Sequence, residues 1–283
     1  MVTTPRQRRH RALGLFFFAA AASAEPVSLL NSGATYSYSD LADLALAAPA
    51  VVVVTVHDAI RLKGADADAA PAGAARFFID GDVTALIAGR TALPPTVSWL
   101  VDVPLGATNR LPKLKKQKLI LLARPIPGKP GTLQLVARDA QLAWTPELEA
   151  RIRAILTAAN GADTPPVVQD VGHAFHVPGS IPGEGETQIF LKTADNRPVS
   201  LSVLRRPGEE PRWSVALGEM VDDAAAAPQR DTLLWYRLAC GLPASLPDSS
   251  VADQDADDAA AARADYGVVL AGLGSCGRTR PSN

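Results

Sequence analysis

The spacing of apolar positions changes period several times along the chain, and each change marks an element. Ser39–Ala48 (SDLADLALAA) places leucines at helical intervals. Ser39 stands where a cap belongs, Asp40 suits the helix dipole, and Pro49 ends the run. Ala50–His57 (AVVVVTVH) is β-branched throughout, the signature of a buried strand, and alternates onward through Leu62. Gly64–Gly73 is a loop of small and acidic residues. Four more strands are predicted, at Arg76–Ile87, Thr96–Val103, Lys118–Arg124 and Thr132–Arg138. Prolines and glycines from Pro104 to Pro112 and from Pro125 to Gly131 supply the turns. Five strands in this stretch predict a small OB-like barrel.

Thr145-Pro146-Glu147 opens a helix: Thr145 caps, Pro146 takes the first helical position, and Leu148, Ile152, Ile155 and Leu156 form one apolar face. Asn160-Gly161 closes it, and Ala162–Pro166 reads as a hinge. Beyond it the pattern predicts a β-meander from strands at Thr187–Thr193, Pro198–Arg205 and Arg212–Leu217. A helix after Pro228 carries Leu233, Leu234 and Leu238, and a last helix spans Asp253–Leu273. The fold class is therefore α+β, mainly β: an OB-like five-stranded barrel, then a β-meander module with C-terminal helices. The expected boundaries are 1–24 for a signal peptide, 25–161 for the barrel with its flanking helices, 166–276 for the meander module, and 277–283 for a disordered tail.

The signal-peptide reading rests on order. Arg6, Arg8, Arg9 and Arg11 precede an apolar run of 11 residues, Ala12–Ala22, and Ala22-Ser23-Ala24 is a small-x-small cleavage site. That run is shorter than the roughly 20 residues a spanning helix needs, so no transmembrane anchor is expected. Cleavage after Ala24 leaves 24 basic against 29 acidic residues, a net charge of −5. Such a chain lacks the positive field that draws nucleic acid, so no nucleic-acid partner is expected. The two cysteines, Cys240 and Cys276, read as a disulfide in an exported protein.

Candidate chemistry is sparse. Gly172–Gln188 holds His173, His176, Glu184 and Glu186 in a Gly/Pro-rich segment read as a loop, and imidazoles with carboxylates are ligand types for zinc, copper or iron. Ser180 lies nearby, but Gly179-Ser-Ile-Pro-Gly183 departs from the Gly-x-Ser-x-Gly elbow. Arg206 and Trp213 flank one turn and suit a carboxylate or glycan. Lys113, Lys115, Lys116 and Lys118 suit an anionic polymer or a solubilising flank. Asp253–Asp258 mimics a calcium loop without its glycine and is better read as a helix start. No phosphate loop or dinucleotide fingerprint is present, so no cofactor and no catalytic residue is assigned.

The strings FHVPGSIPGEGETQIFL (175–191), PVSLSVLRRPGEEPRWSVALGE (198–219) and TLLWYRLACGLP (232–243) resemble those of uncharacterised exported proteins of Gram-negative bacteria. The resemblance implies a periplasmic location and assigns no activity. The resulting expectation is a non-enzymatic periplasmic or secreted binding protein. Its partner would be an envelope protein or a cell-wall component, and its ligand groups His173, His176, Glu184, Glu186, Arg206 and Trp213. The alternative is a metal-dependent or hydrolytic envelope enzyme centred on His173 and His176.

Overall fold

The β-branched run becomes strand β1 (Ala50–Arg61), which is shared between two neighbouring strands. It pairs antiparallel along its length with β2 (Ala74–Gly89) and, over Ala50–Thr55, with β4 (Lys118–Pro125). In this computed structural model, which describes residue 1 and residues 36–90, 92–106, 109–218 and 225–280, the sheet runs β1-β2-β3-β5-β4 and returns to β1. Here β3 is Thr96–Pro104 and β5 is Thr132–Leu135, and their pairing is parallel. The barrel is OB-like and five-stranded, with a further short strand, β6 (Gln141–Ala143), added beside β4. Register shifts in β1 at Val51/Val52, Val53/Val54 and Val56/Asp58 supply the curvature that closure requires.

Alternation sorts the barrel residues. Val52, Val54, Phe77, Ile79, Val97, Trp99, Leu119, Leu121 and Leu133 fill the interior. The largest of them, Trp99, is fully buried and donates its Nε1–H to Gln141 Oε1 at 2.6 Å. Room for the indole comes from Gly81, where a Cβ would stand 2.9 Å from the ring.

The opposite faces of β1 and β4 are buried too. Val51, Ile120 and Leu122 belong to a second core shared with helix α1 (Tyr38–Ala47), helix α2 (Pro146–Asn160) and the second sheet. That sheet is an antiparallel meander of β7 (Val168–Pro178), β8 (Gly185–Thr193), β9 (Ser200–Arg205) and β10 (Arg212–Ala216). Helix α4 (Ala256–Leu273) covers its inner face through Tyr266, Val269 and Leu273, and helix α3 (Leu233–Ala239) packs on α4, Trp235 donating its Nε1–H to the Leu273 carbonyl at 2.9 Å. One continuous core thus joins barrel and meander, leaving the Ala162–Pro166 segment as a connection between packed parts.

Several sequence expectations change. Ser37, not Ser39, caps α1, in a capping box with Asp40. Ser39 is instead buried, its hydroxyl donating to the Cys276 carbonyl at 2.5 Å. Residues 172–178, the first part of the segment expected as loop, belong to strand β7, because Val168, Val171 and Ala174 bury an inner face that glycines and polar residues obscure in the sequence. The tail expected to be disordered after Cys276 is held as far as Arg280; residues 281–283 and, from residue 2, the segment expected to be a signal peptide lie outside the described residues. The disulfide Cys240–Cys276 spans 36 residues and anchors this tail. Arg278 pairs with Asp43 at 2.7 Å, the Thr279 and Arg280 amides donate to Asp40 Oδ1, and Arg280 pairs with Asp139 at 2.6 Å. Among the described residues no helix is long and apolar enough to cross a membrane.

Two predictions follow from this packing. Gly81→Ala forces Trp99 to shift in a filled barrel, so urea unfolding should show a loss of about 1–3 kcal/mol; an unchanged midpoint would mean the interior yields freely. The second concerns pH. The Arg280 guanidinium lowers the Asp139 carboxyl. Burial raises Asp40, but hydrogen bonds from Thr279 and Arg280 outweigh it and leave Asp40 lowered as well. Carboxyls depressed in the folded state contribute stability above the ordinary value of about 3.9 and lose it as pH falls through the folded value. The Thr279 and Arg280 amides should therefore be protected from hydrogen exchange at neutral pH and released in acid. Equal protection at pH about 2, below the ordinary carboxyl value, would contradict this.

Candidate functional site

Covering β1 and β4 leaves one barrel face wet, the outer face of β2 and β3. Outward positions there are Arg76, Phe78 and Asp80 on β2, and Ser98, Leu100 and Asp102 on β3, in register with each other. Ile60 of β1 stands beside Phe78, so Ile60, Phe78 and Leu100 make an apolar row across three strands. Ile60 and Leu100 are 53% and 52% exposed, far more than core residues of their type. Polar rows flank it: Arg76 holds Asp102 through two bonds of 2.8 Å, and Ser98 donates to Asp80 at 2.7 Å.

Beside this row β3 has an open edge. Its pairing with β5 consists of Ser98–Thr132 and Trp99–Leu133. From Val101 to Pro104 no described strand lies on that side. A groove of about 580 Å³ follows the gap, lined by Phe78, Leu100, Asp102, Ile126, Lys129 and Arg138 among others. It runs into a second hollow of about 310 Å³ that shares Val101, Asp102 and Arg138 and ends at Asp139 and Gln141. Neither Lys129 nor Arg138 makes an ion pair among the described residues. A trough with an apolar floor and two uncompensated cations suits an extended anionic chain.

The residues singled out in the sequence do not converge. His173 and His176 sit on β7, where an odd offset sends them to opposite faces. His173 is exposed beside Phe175, ring centroids 6.1 Å apart. Glu184 and Glu186 border an outer-face hollow of about 430 Å³ with Phe175, Val177 and Leu204. Glu184 accepts from the Ser180 amide at 3.1 Å, and Glu186 accepts from Gln188. Arg206 is exposed in the β9–β10 turn, while Trp213 faces inward, its Nε1 placed 2.3 Å from where a Cβ on Gly272 of α4 would stand. Among the described residues no group of three His, Cys, Asp or Glu is placed to hold a metal ion. The lysine cluster is dispersed: Lys115 pairs with Asp58 at 2.7 Å, Lys118 lies 3.3 Å over the Trp144 ring, and none of the four lines the groove. Asp255 caps α4 by accepting from the Asp257 and Asp258 amides, which accounts for the acidic run.

His176 belongs to a buried network that the sequence conceals. Its Nδ1 is 2.9 Å from Thr187 Oγ1, and the Thr187 hydroxyl donates to Asp265 Oδ2 at 2.5 Å. Arg205 closes the far side of Asp265 at 2.5 Å. The threonine has one proton, and Asp265 receives it, so the imidazole must donate from Nδ1. Gly185 makes room for the ring, since a Cβ there would lie 2.7 Å from His176 Cε1. The network orients an imidazole, but the hydroxyl that meets it, that of Thr187, is fully buried and gives its proton to Asp265, and the Ser180 amide is engaged in its own turn. Its evident effect is to neutralise Asp265, which is fully buried on α4.

No family model, curated protein or solved structure matches the chain.

The groove is hidden in the sequence because its lining is drawn from separate strands and loops and is mostly apolar. The available signal was a broken alternation: Phe77-Phe78 and Trp99-Leu100-Val101 put apolar side chains on both faces of strands with one core face. For the network, Arg205→Met should cost about 3 kcal/mol in unfolding free energy by stranding a buried carboxylate. A loss under about 0.5 kcal/mol would show that Asp265 needs no counter-charge.

Proposed function

We propose that this protein is a non-enzymatic binding module of the bacterial envelope, and that it holds an extended anionic chain in the groove beside β3. The observation that carries the reading is the pair Lys129 and Arg138, free of ion pairs, beside the exposed row Ile60–Phe78–Leu100. OB-like barrels use the face of the second and third strands and the loop between the fourth and fifth for oligomers, and Ile126 and Lys129 lie on that loop. The disulfide and the arginine-led apolar N-terminus support an exported, periplasmic setting. The dispersal of His173, His176, Glu184 and Glu186 favours binding over the metal-dependent or hydrolytic alternative.

The test is titration with two acidic probes, oligogalacturonate and polyglutamate, followed by tryptophan fluorescence at low and moderate salt. At least one should bind, more weakly as salt rises. The double variant Lys129→Gln, Arg138→Gln should lose about tenfold, two surface charges at about 0.7 kcal/mol each. Lys113→Gln with Lys116→Gln should leave binding unchanged. Binding indifferent to the groove pair, or lost equally with the other two lysines, would refute the reading.

A further inference from the structure

We infer that the chain held in the groove is an acidic polypeptide segment, taken as an added strand on the open edge of β3. The inference rests on the binding reading above and gives that groove its partner class.

The backbone supplies the argument. Ser98 donates its amide to Gly131 on the β5 side, whereas Leu105 donates to Gly73 on the β2 side. Alternation therefore aims the amides of even-numbered residues in β3 across the open edge. Asp102 presents its N–H and carbonyl there with no described strand to meet them. Pro104 occupies the next such position and has no N–H to leave unpaired, which is where a proline fits an edge strand. The Asp102 N–H and carbonyl, presented together on an open edge, match another peptide backbone. A sugar chain has no donors and acceptors at the peptide repeat.

The side chains set what the segment carries. A strand laid beside Leu100–Pro104 turns alternate residues outward past Leu100 and Asp102 and inward over Val101 and Leu133, all of which line the hollows. Lys129 and Arg138 stand on the far bank and select carboxylates. The Arg76–Asp102 pair already satisfies the charge on the near bank. The favoured segment alternates apolar and acidic residues.

The probe is a synthetic peptide alternating valine and glutamate, about eight residues long, with two copies N-methylated on one or the other alternate set of amides. Each is titrated into the ¹⁵N-labelled, disulfide-bonded full chain. The parent should bind, shift the Asp102 amide and slow its exchange. One methylated copy should lose about tenfold or more, for want of its bonds to β3, while the other keeps its affinity. Equal binding of both copies would overturn strand addition. Oligogalacturonate binding with an Asp102 shift, where the peptide fails, would overturn it and leave the binding reading standing. Failure of both probes would remove both readings. An Asp102 amide already protected in the free chain, at every concentration or only at high concentration, would mean that another part of the chain or a second copy fills the edge, and would also overturn the inference.

Discussion

Burial of β1 and β4 on both faces is the constraint around which the molecule is arranged. Inside the barrel, Val52, Val54, Leu119 and Leu121 pack around Trp99. Outside it, Val51, Ile120 and Leu122 need an equally dry cover. They share one core with side chains of helices α1 and α2 and of the β7–β10 sheet. Each fully buried aliphatic side chain stabilises by roughly 1.5–3 kcal/mol, so stripping this cover would be costly. The meander and its helices thus extend the core that begins on the outer face of β1 and β4. That face is covered, and the outer face of β2 and β3 stays wet.

Polar groups enclosed by this arrangement are satisfied in pairs and chains. Asp265 is buried on α4 yet meets Thr187 and Arg205, with His176 completing the line. The C-terminal segment follows the same logic at the barrel end. Asp40, Asp43 and Asp139 receive Thr279, Arg278 and Arg280, and the disulfide holds the segment in place to do so. Asp139 also borders the hollow that continues the groove, so the tail neutralises a carboxylate beside the site of the proposed anionic partner.

Much of the barrel was legible because its strands carry strong local signals. AVVVVTV and KLILLA have no helical reading, and the turns between strands are marked by proline and glycine. The α2 helix was legible from Thr145-Pro146, and the disulfide from a count of two. What escaped depends on long-range partners. β7 carries Gly172, His173 and His176, and becomes a strand because β8 and α4 lie against it. Asp265 gave no hint of burial, since its partners are 60 and 78 residues away. The tail read as disordered because its three aspartates belong to distant elements. The groove itself arises from a parallel pairing that stops after two residue pairs, a tertiary event with no local signature.

The most direct test of the open working edge is hydrogen exchange across β3 in the free protein. Val101 and Val103 pair with β2 through Phe77 and Ala75 and should be strongly protected. Asp102, between them, faces the groove and should exchange faster by orders of magnitude. That alternation would establish a free edge on an otherwise closed barrel. Uniform protection of all three amides would contradict it and place another element where the partner is proposed to bind.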